Sequence, residues 1–236
     1  MKCPAILVTN SKGGVGKTLV SVNLAISLSK NVRVALIDAD IGAPNVTYVM
    51  GIADRRMGVD EKRRLIPYNY SDTLQVFSME NFFARGNGTK NQITFPGEEI
   101  RSVINQSVNG VAWNNPDIFV IDSPPATSDA LIELVKIFGT YLNAIIVSTN
   151  HNLSVSDAER VIQSLMSNNV FIIGIIGNMI IDGQNGALKS LSEKYQLKYL
   201  GEIPFDIEIM KASDNGQPGI PYDVIEKTAG DILYLH

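Results

Sequence analysis

A glycine-rich segment near the start of the chain, SKGGVGKT at residues 11–18, has the residue types that bind a nucleotide phosphate. Glycines let successive backbone N–H groups turn toward phosphate oxygens, and a helix that follows adds its positive end. Lys17 can neutralise the β- and γ-phosphates, and the Thr18 hydroxyl can bind Mg²⁺. The general pattern begins with glycine, where this chain has Ser11. The predicted nucleotide contacts are Gly13, Gly14, Val15, Gly16, Lys17, Thr18 and Leu19.

Three aspartates stand where apolar runs end. Asp38 and Asp40 follow the run VRVALI at residues 32–37, and Asp122 follows IFVI at residues 118–121. Carboxylates at strand ends near a phosphate loop suit a Mg²⁺ ion and the water that attacks the phosphate. Asp122 fits the Walker B pattern, in which an aspartate holds the water shell of the Mg²⁺. A helix cap or an Asx-turn is the structural alternative for Asp38 and Asp40.

The elements that must position these residues alternate between strand-like and helix-like patterns. Several apolar runs lack polar alternation, as strands covered on both faces require. This pattern predicts an α/β fold with a doubly wound, mostly parallel sheet flanked by helices, and ligands bind such sheets at the carboxyl ends of the strands. The predicted strands are residues 5–9, 32–37, 74–78, 118–121, 144–147, 171–176 and 199–201, and the predicted helices are residues 18–29, 100–109, 129–140, 154–168, 186–195 and 222–235.

The composition is typical of a globular protein. A chain of 236 residues suits one α/β domain, so residues 1–236 are predicted to form a single P-loop domain. The net charge of −4 gives no reason to expect broad binding to nucleic acid or anionic membranes. The one cysteine, Cys3, cannot form an internal disulfide. The longest apolar run, residues 170–181, is shorter than the ~20 residues that span a bilayer. With no secretory signal visible, we expect a cytoplasmic protein.

The segment KGGVGKT at residues 12–18 resembles the deviant Walker A signature, KGGxGK[ST], of the family that contains MinD, ParA, the nitrogenase iron protein and the Mrp/ApbC proteins. The resemblance implies an ATPase that forms a homodimer around ATP, in which Lys12 reaches the nucleotide of the partner. It also implies that Asp40 positions or activates the attacking water and that Asp38 lies in the outer shell of the metal. A solvated loop lysine is the alternative for Lys12.

Two later segments resemble the part of this family that borders the adenine base. Asn178 ends one predicted strand region, and IPFD at residues 203–206 follows another. An asparagine amide can meet both the donor and the acceptor edge of adenine. By this resemblance Asn178, Pro204 and Phe205 border the base, although Asn and Pro are also common turn residues after strands.

The middle of the chain resembles the Mrp/ApbC branch of the family. The segments LQVFSME at residues 74–80, Arg85-Gly86 and DSPPATSD at residues 122–129 follow the order of that branch, and the resemblance runs from Ile6 to about Gly219. Members that carry an iron–sulfur cluster use a CxxC pair shortly after Asn-Met, whereas residues 180–187 here read IIDGQNGA. Since thiolates are the ligands of such clusters, no iron–sulfur cluster is expected.

The sequence therefore predicts a MgATP-binding, slowly hydrolysing ATPase that acts as a dimer switch for an unidentified protein partner. A ParA- or MinD-type positioning ATPase and a nucleotide-gated adaptor, in which Asp40 is idle, are the alternatives. Residues 225–236 carry little positive charge for a membrane-seeking tail. A basic cluster is interleaved with acidic residues, which favours a solvated surface over a DNA-binding one; its members are Arg55, Arg56, Lys62, Arg63 and Arg64.

Overall fold

A computed structural model of the chain describes residues 2–40, 42–78, 97–123, 128–181, 185–218 and 222–235. The predictions for residues 85–86, 124–127 and 182–184 lie outside this part. The strands are β1 (Ala5–Thr9), β2 (Val34–Asp38), β3 (Tyr68–Asn69), β4 (Leu74–Ser78), β5 (Ile118–Asp122), β6 (Leu142–Ser148), β7 (Phe171–Ile180) and β8 (Tyr199–Pro204). The helices are α1 (Lys17–Ser29), α2 (Val46–Val49), α3 (Gly97–Asn109), α4 (Ser128–Phe138), α5 (Asn152–Ser167), α6 (Gly186–Lys194), α7 (Ile207–Asp214) and α8 (Asp223–Leu235), with a 3₁₀ turn at Gly139–Tyr141.

The described strands form one sheet in the order β3-β4-β2-β5-β1-β6-β7-β8. Every pairing is parallel except that of β3 with β4 at the edge, which confirms the predicted fold class. β1 lies between β5 and β6, so the chain reverses its direction of winding on either side of it. Ligands of open α/β sheets bind at such a switch point, outside the carboxyl ends of the strands. The segment after β1 therefore stands at the expected place.

Both faces of the sheet are covered. In β1, Ile6 and Val8 pack against one face with residues of α1 and α8, while Ala5 and Leu7 pack against the other with residues of α3, α4, α5 and α6. All seven residues of β6 are buried. This explains why the strands are apolar throughout, because alternate side chains enter two separate cores. No helix of the described residues is long and apolar enough to cross a membrane.

Several boundaries differ from the predicted ones in a way that matters for the site. β2, β5 and β7 extend beyond the apolar runs from which they were predicted. Asp38 and Asp122 are therefore the last residues of their strands, and Asn178 lies within β7. The prediction missed β3, α2 and α7. β3 has two residues and α2 has four, which are too few for a periodic pattern. α7 begins after Asp206, which acts as the N-cap because its side chain accepts a hydrogen bond from Glu208 N.

Candidate nucleotide and metal site

The glycine-rich loop joins the carboxyl end of β1 to the first residue of α1. Gly14 and Gly16 have φ values of 75° and 89°, a left-handed conformation that glycine adopts without steric cost. A Cβ atom on Gly16 would also overlap the side-chain amide of Asn178. Two independent constraints thus demand glycine at position 16. The turn places backbone N–H groups and the N-terminus of α1 at one point, which is the arrangement that binds phosphate.

Lys17 lies inside this turn and is 7% exposed. Its Nζ donates a hydrogen bond to the backbone oxygen of Lys12 at 3.2 Å. Burial lowers the pKa of Lys17, and the nearby carboxylates of Asp122 and Asp40 oppose that shift. Lys17 is therefore a cation held between the loop and two acids. The backbone N–H of Lys12 donates to Asn10 Oδ1 at 3.1 Å, so both polar groups of the Lys12 backbone are fixed.

Asp122 ends β5 and is 1% exposed. Its Oδ2 accepts a hydrogen bond from Thr18 Oγ1 at 2.6 Å, and its Oδ1 lies 3.0 Å from the hydroxyl of Ser21. Burial raises the pKa of Asp122 to about 6, against the effect of these two hydroxyls and of Lys17. The structure thus brings the Walker A threonine and the Walker B aspartate into direct contact.

Asp38 lies beside Asp122, because the two residues are partners in the parallel register of β2 and β5. Burial, followed by the charge of Asp122, raises the pKa of Asp38 well above its usual range. Its carboxylate also accepts hydrogen bonds from the backbone N–H groups of Asp40 and Val46, each at 3.2 Å. The Asx-turn alternative for Asp38 is therefore present in the structure, and a metal-directed role stays a prediction.

Asp40 lies two residues beyond β2 and is partly exposed. Its Oδ1 accepts a hydrogen bond from Ala43 N at 3.1 Å, and burial raises its pKa while the charge of Lys17 lowers it. The carboxylate therefore closes a turn and lies near Lys17 as well. A base must be accessible to the water from which it takes a proton, and Asp40 meets this condition better than the buried Asp38 and Asp122.

The donor set fits Mg²⁺ that is bound together with phosphates. Among the described residues, no three His, Cys, Asp or Glu side chains converge as a metal site made of protein alone would require. Thr18 and Asp122 supply a hydroxyl and a carboxylate oxygen that contact each other. Mg²⁺ characteristically takes one or two such oxygens and completes its octahedron with substrate phosphates and water.

Asn178 joins β7 to the phosphate loop. It is 1% exposed, and its Nδ2 donates a hydrogen bond to the backbone oxygen of Val15 at 2.8 Å. One amide hydrogen is thereby committed to the loop. The structure thus shows a contact of Asn178 with the phosphate loop, and its predicted position beside the base stays a prediction.

Pro204 and Phe205 lie at the end of β8, next to β7. The N–H of Phe205 donates to the backbone oxygen of Ile180 at 2.9 Å, which fixes the segment to the neighbouring strand. Both side chains are exposed, that of Phe205 to 47%. They are therefore available to a planar ligand.

Cys3 lies at the opposite end of the sheet from the phosphate loop, because it precedes β1 whereas the loop follows it. Its Sγ donates to the backbone oxygen of Pro116 at 3.4 Å, and burial raises its pKa to about 11. A protonated, half-buried thiol is a poor metal ligand. Cys3 and the phosphate loop are thus separated by the length of β1.

The basic cluster is an exposed surface. Arg64 forms an ion pair with Asp60 at 2.8 Å, and the same carboxylate accepts hydrogen bonds from the backbone N–H groups of Lys62 and Arg64. This ion pair agrees with the predicted charge compensation. The role of the remaining arginines stays a prediction.

Sequence reasoning missed three buried polar residues of this region. Asn10, Ser21 and Ser78 are fully buried, and each hydrogen-bonds a residue assigned to the site or the loop that carries it. Ser78 donates to Asp38 Oδ2 at 3.1 Å. The available signal was a polar residue at the end of an apolar strand, as in LQVFS, but a serine there is also an ordinary strand terminator.

Comparison with known proteins matches nearly the whole chain to one family of P-loop NTPases. Residues 3–233 match a ParA family model described as NUBPL iron-transfer P-loop NTPase. The chain is 34% identical over 231 residues to an iron–sulfur cluster carrier protein of Deinococcus radiodurans, covering 91% of this chain and 63% of that relative. It is 32% identical over 248 residues to an Arabidopsis thaliana mitochondrial iron–sulfur protein required for NADH dehydrogenase, covering 96% and 75%. The bacterial carriers are thus considerably longer than the matched region.

Solved structures share the fold over nearly the whole chain. A nucleotide-binding protein of Archaeoglobus fulgidus in complex with ADP superposes with a TM-score of 0.76 at 26% identity, covering 94% of this chain and 90% of the other. The septum site-determining protein MinD of Pyrococcus horikoshii, complexed with Mg-ADP, superposes with a TM-score of 0.74 at 19% identity, covering 99% and 97%. The second likeness shows the fold alone.

Proposed function

This chain belongs to the ParA family of P-loop NTPases, in its Mrp/ApbC/NUBPL branch of iron–sulfur carriers, and on that premise we propose that it is a MgATP-dependent dimer switch. It converts ATP and water slowly to ADP and phosphate. The proposal is carried by the arrangement around Lys17, a buried cation beside the carboxylates of Asp122 and Asp40 at the switch point of the sheet. Ionisable groups with shifted pKa values that lie together at the ligand-binding edge of a sheet mark a candidate functional site.

In this proposal the phosphate loop and Lys17 hold the β- and γ-phosphates, and Thr18 and Asp122 hold Mg²⁺, with Asp38 in its outer shell. The ion, when bound, neutralises charge on the phosphates. Asp40 orients the attacking water and accepts its proton. The pKa of Asp40 is raised by burial, which makes its carboxylate a stronger base than a fully solvated one.

The dimer part of the proposal rests on Lys12 and on the family. The side chain of Lys12 reaches the nucleotide of the partner chain, so that ATP is held between two copies. The backbone of Lys12 is fixed by Asn10 Oδ1 and Lys17 Nζ, which leaves the side chain as the mobile part. Asn178 Oδ1, Pro204 and Phe205 border the adenine. Residues 1–236 act as one cytoplasmic P-loop domain. An unidentified protein partner responds to the nucleotide state of the dimer.

The names of the relatives raise the question whether this chain binds an iron–sulfur cluster. Both the bacterial and the plant relative are named for iron–sulfur proteins. This chain has one cysteine in 236 residues, and Cys3 lies far from the phosphate loop. We propose that the ATPase core is retained and that these residues hold no iron–sulfur cluster of their own, because thiolates are the ligands that such clusters require.

Steady-state ATP hydrolysis by the wild type and by Asp40→Ala tests the function. The wild type is expected to turn over ATP slowly, and the variant is expected to lose roughly 10²–10⁴-fold in kcat, the usual contribution of a general base. ATP affinity, measured by calorimetry, should change little, since Asp40 binds no phosphate. Asp72→Ala, which removes an exposed aspartate, is the matched control and should behave as the wild type.

Two outcomes would change the proposal. A wild type that binds MgATP without hydrolysing it would favour the nucleotide-gated adaptor. Equal turnover by Asp40→Ala and the wild type would remove Asp40 from the reaction and leave the water to be activated by another group.

A further inference from the structure

Three hydrogen bonds converge on the carboxylate of Asp38. Oδ2 accepts from Ser78 Oγ at 3.1 Å and from Val46 N at 3.2 Å, and Oδ1 accepts from Asp40 N at 3.2 Å. Ser78 is the last residue of β4 and the register partner of Asp38 in β2. One carboxylate thus joins the end of a strand to both ends of the segment that follows it.

The segment that Asp38 closes carries Asp40. It leaves β2 after Asp38 and returns at Val46, the first residue of α2. A carboxylate that rotated about its Cβ–Cγ bond would lose the bonds to Asp40 N and Val46 N together. Ser78 opposes this rotation from the side of the sheet, since its hydroxyl is fixed on a strand that is paired along its whole length.

Ser78 is buried, and its hydrogen bond differs from an ordinary one in the partner it reaches. Its relative exposure is 0%, in a strand whose neighbours Val76 and Phe77 belong to the hydrophobic core. The buried Ser107 of α3 donates instead to the backbone oxygen of Val103 in its own helix, at 2.9 Å. The hydroxyl of Ser78 thus bonds a side chain of the neighbouring strand, whereas that of Ser107 bonds its own helix.

We propose that Ser78 is a positioning residue for ATP hydrolysis, which holds Asp38 in the orientation that shapes the loop carrying Asp40. The inference rests on the proposed function, in which Asp40 acts on the attacking water. Asp38 then shapes the loop that carries Asp40, whether or not Asp38 also faces the metal. The inference extends the site to β4, the third strand from β1, which no phosphate-loop motif marks.

The kinetic test compares Ser78→Ala with Ser78→Thr, which restores a hydroxyl, and with Ser107→Ala, which removes a buried hydroxyl elsewhere. Ser78→Ala is expected to lower kcat about tenfold, within the ~100-fold that a misplacement of 1 Å costs. Its KM for ATP should stay within about twofold, because no phosphate contact is lost. Ser78→Thr should recover most of the turnover, and Ser107→Ala should keep wild-type kcat. An unchanged kcat in Ser78→Ala, or an equal loss in Ser107→Ala, would overturn the inference.

A second readout does not depend on hydrolysis. The amide hydrogens of Asp40 and Val46 should exchange with solvent about tenfold faster in Ser78→Ala than in the wild type, as expected when a local bond opens more often. Residue-resolved exchange by NMR measures this, and Ser107→Ala should leave both amides unchanged. Unchanged exchange in Ser78→Ala would overturn the inference even if kcat fell. Faster exchange in a protein whose wild type hydrolyses no ATP would instead refute the proposed function, and with it the catalytic part of this inference.

Discussion

The two halves of the candidate site are built differently. The phosphate half comprises the loop of residues 10–18 with Asp38, Asp40 and Asp122. Lys17, Asp38 and Asp122 are buried there, and hydrogen bonds join Lys17 to the loop backbone and Thr18 to Asp122. The base half comprises Asn178, Pro204 and Phe205. Only Asn178 is buried there, and its amide bonds the phosphate loop and not a neighbour within the base half. Pro204 and Phe205 stand exposed at the end of β8.

This difference indicates where the affinity for a nucleotide should arise. Preorganised N–H groups and a buried lysine bind phosphate without having to be ordered first. Exposed side chains at a strand end contribute little until a ligand covers them. We therefore expect large effects from changes in the phosphate half, intermediate ones from Asn178, which belongs to the base half and bonds the phosphate loop, and none from the end of the sheet that carries Cys3.

The largest effect is expected for Lys17→Ala. Loss of a buried, hydrogen-bonded charge from a charged complex costs about 2–5 kcal/mol, which is roughly 30- to several thousand-fold in affinity for ATP. Calorimetry measures the affinity, and circular dichroism checks that the fold is retained. Lys136→Ala, at an exposed lysine of α4, is the control and should bind ATP as the wild type does. Equal binding by Lys17→Ala and the wild type would refute the phosphate-loop assignment.

Asn178→Ala tests whether the two halves are coupled. Removal of the bond from Nδ2 to the Val15 oxygen should weaken ATP binding about 2- to 13-fold, as loss of one hydrogen bond of ~0.5–1.5 kcal/mol does. Inorganic tripolyphosphate has no base, so its affinity should fall as well if Asn178 supports the loop. Phe205→Ala is the control, because it should leave tripolyphosphate binding unchanged. A loss confined to ATP in Asn178→Ala would make Asn178 a base contact alone.

No effect is expected at the far end of the sheet. Cys3→Ser should leave ATP turnover unchanged, because the thiol precedes β1 and contacts Pro116. Anaerobic reconstitution of the wild type with iron and sulfide should yield no stoichiometric cluster, as measured by absorbance and by iron content. A brown protein whose absorbance band disappears in Cys3→Ser would contradict this prediction and restore a carrier role.

The sequence predicted that the residues of the phosphate half lie together at one edge of the sheet, for a physical reason. Glycines, a lysine and aspartates at strand ends mark where backbone and charge must meet a ligand, and parallel strands bring their carboxyl ends together. The hydrogen bonds from Asn10 Nδ2 to the Val147 oxygen of β6 and from Ser78 to Asp38 could not be predicted in this way. Each depends on which strand lies next in the sheet and in what register, and residues far apart in the chain, such as Ser78 and Asp38, carry no local pattern that links them. The elements α2 and β3 were not predicted because they are too short to show a periodic pattern.

The mass of the protein in solution with saturating ATP and Mg²⁺ shows most directly whether ATP drives the formation of a dimer. In Asp40→Ala, which should retain ATP unhydrolysed, light scattering is expected to give twice the 25.7 kDa of one chain, and removal of ATP should return the mass of a single chain. The double variant Lys12→Ala/Asp40→Ala should bind ATP yet stay at 25.7 kDa, because the side chain that reaches the partner's nucleotide is absent. An Asp40→Ala protein that remains a single chain when saturated, or a double variant that dimerises equally well, would contradict the proposed switch.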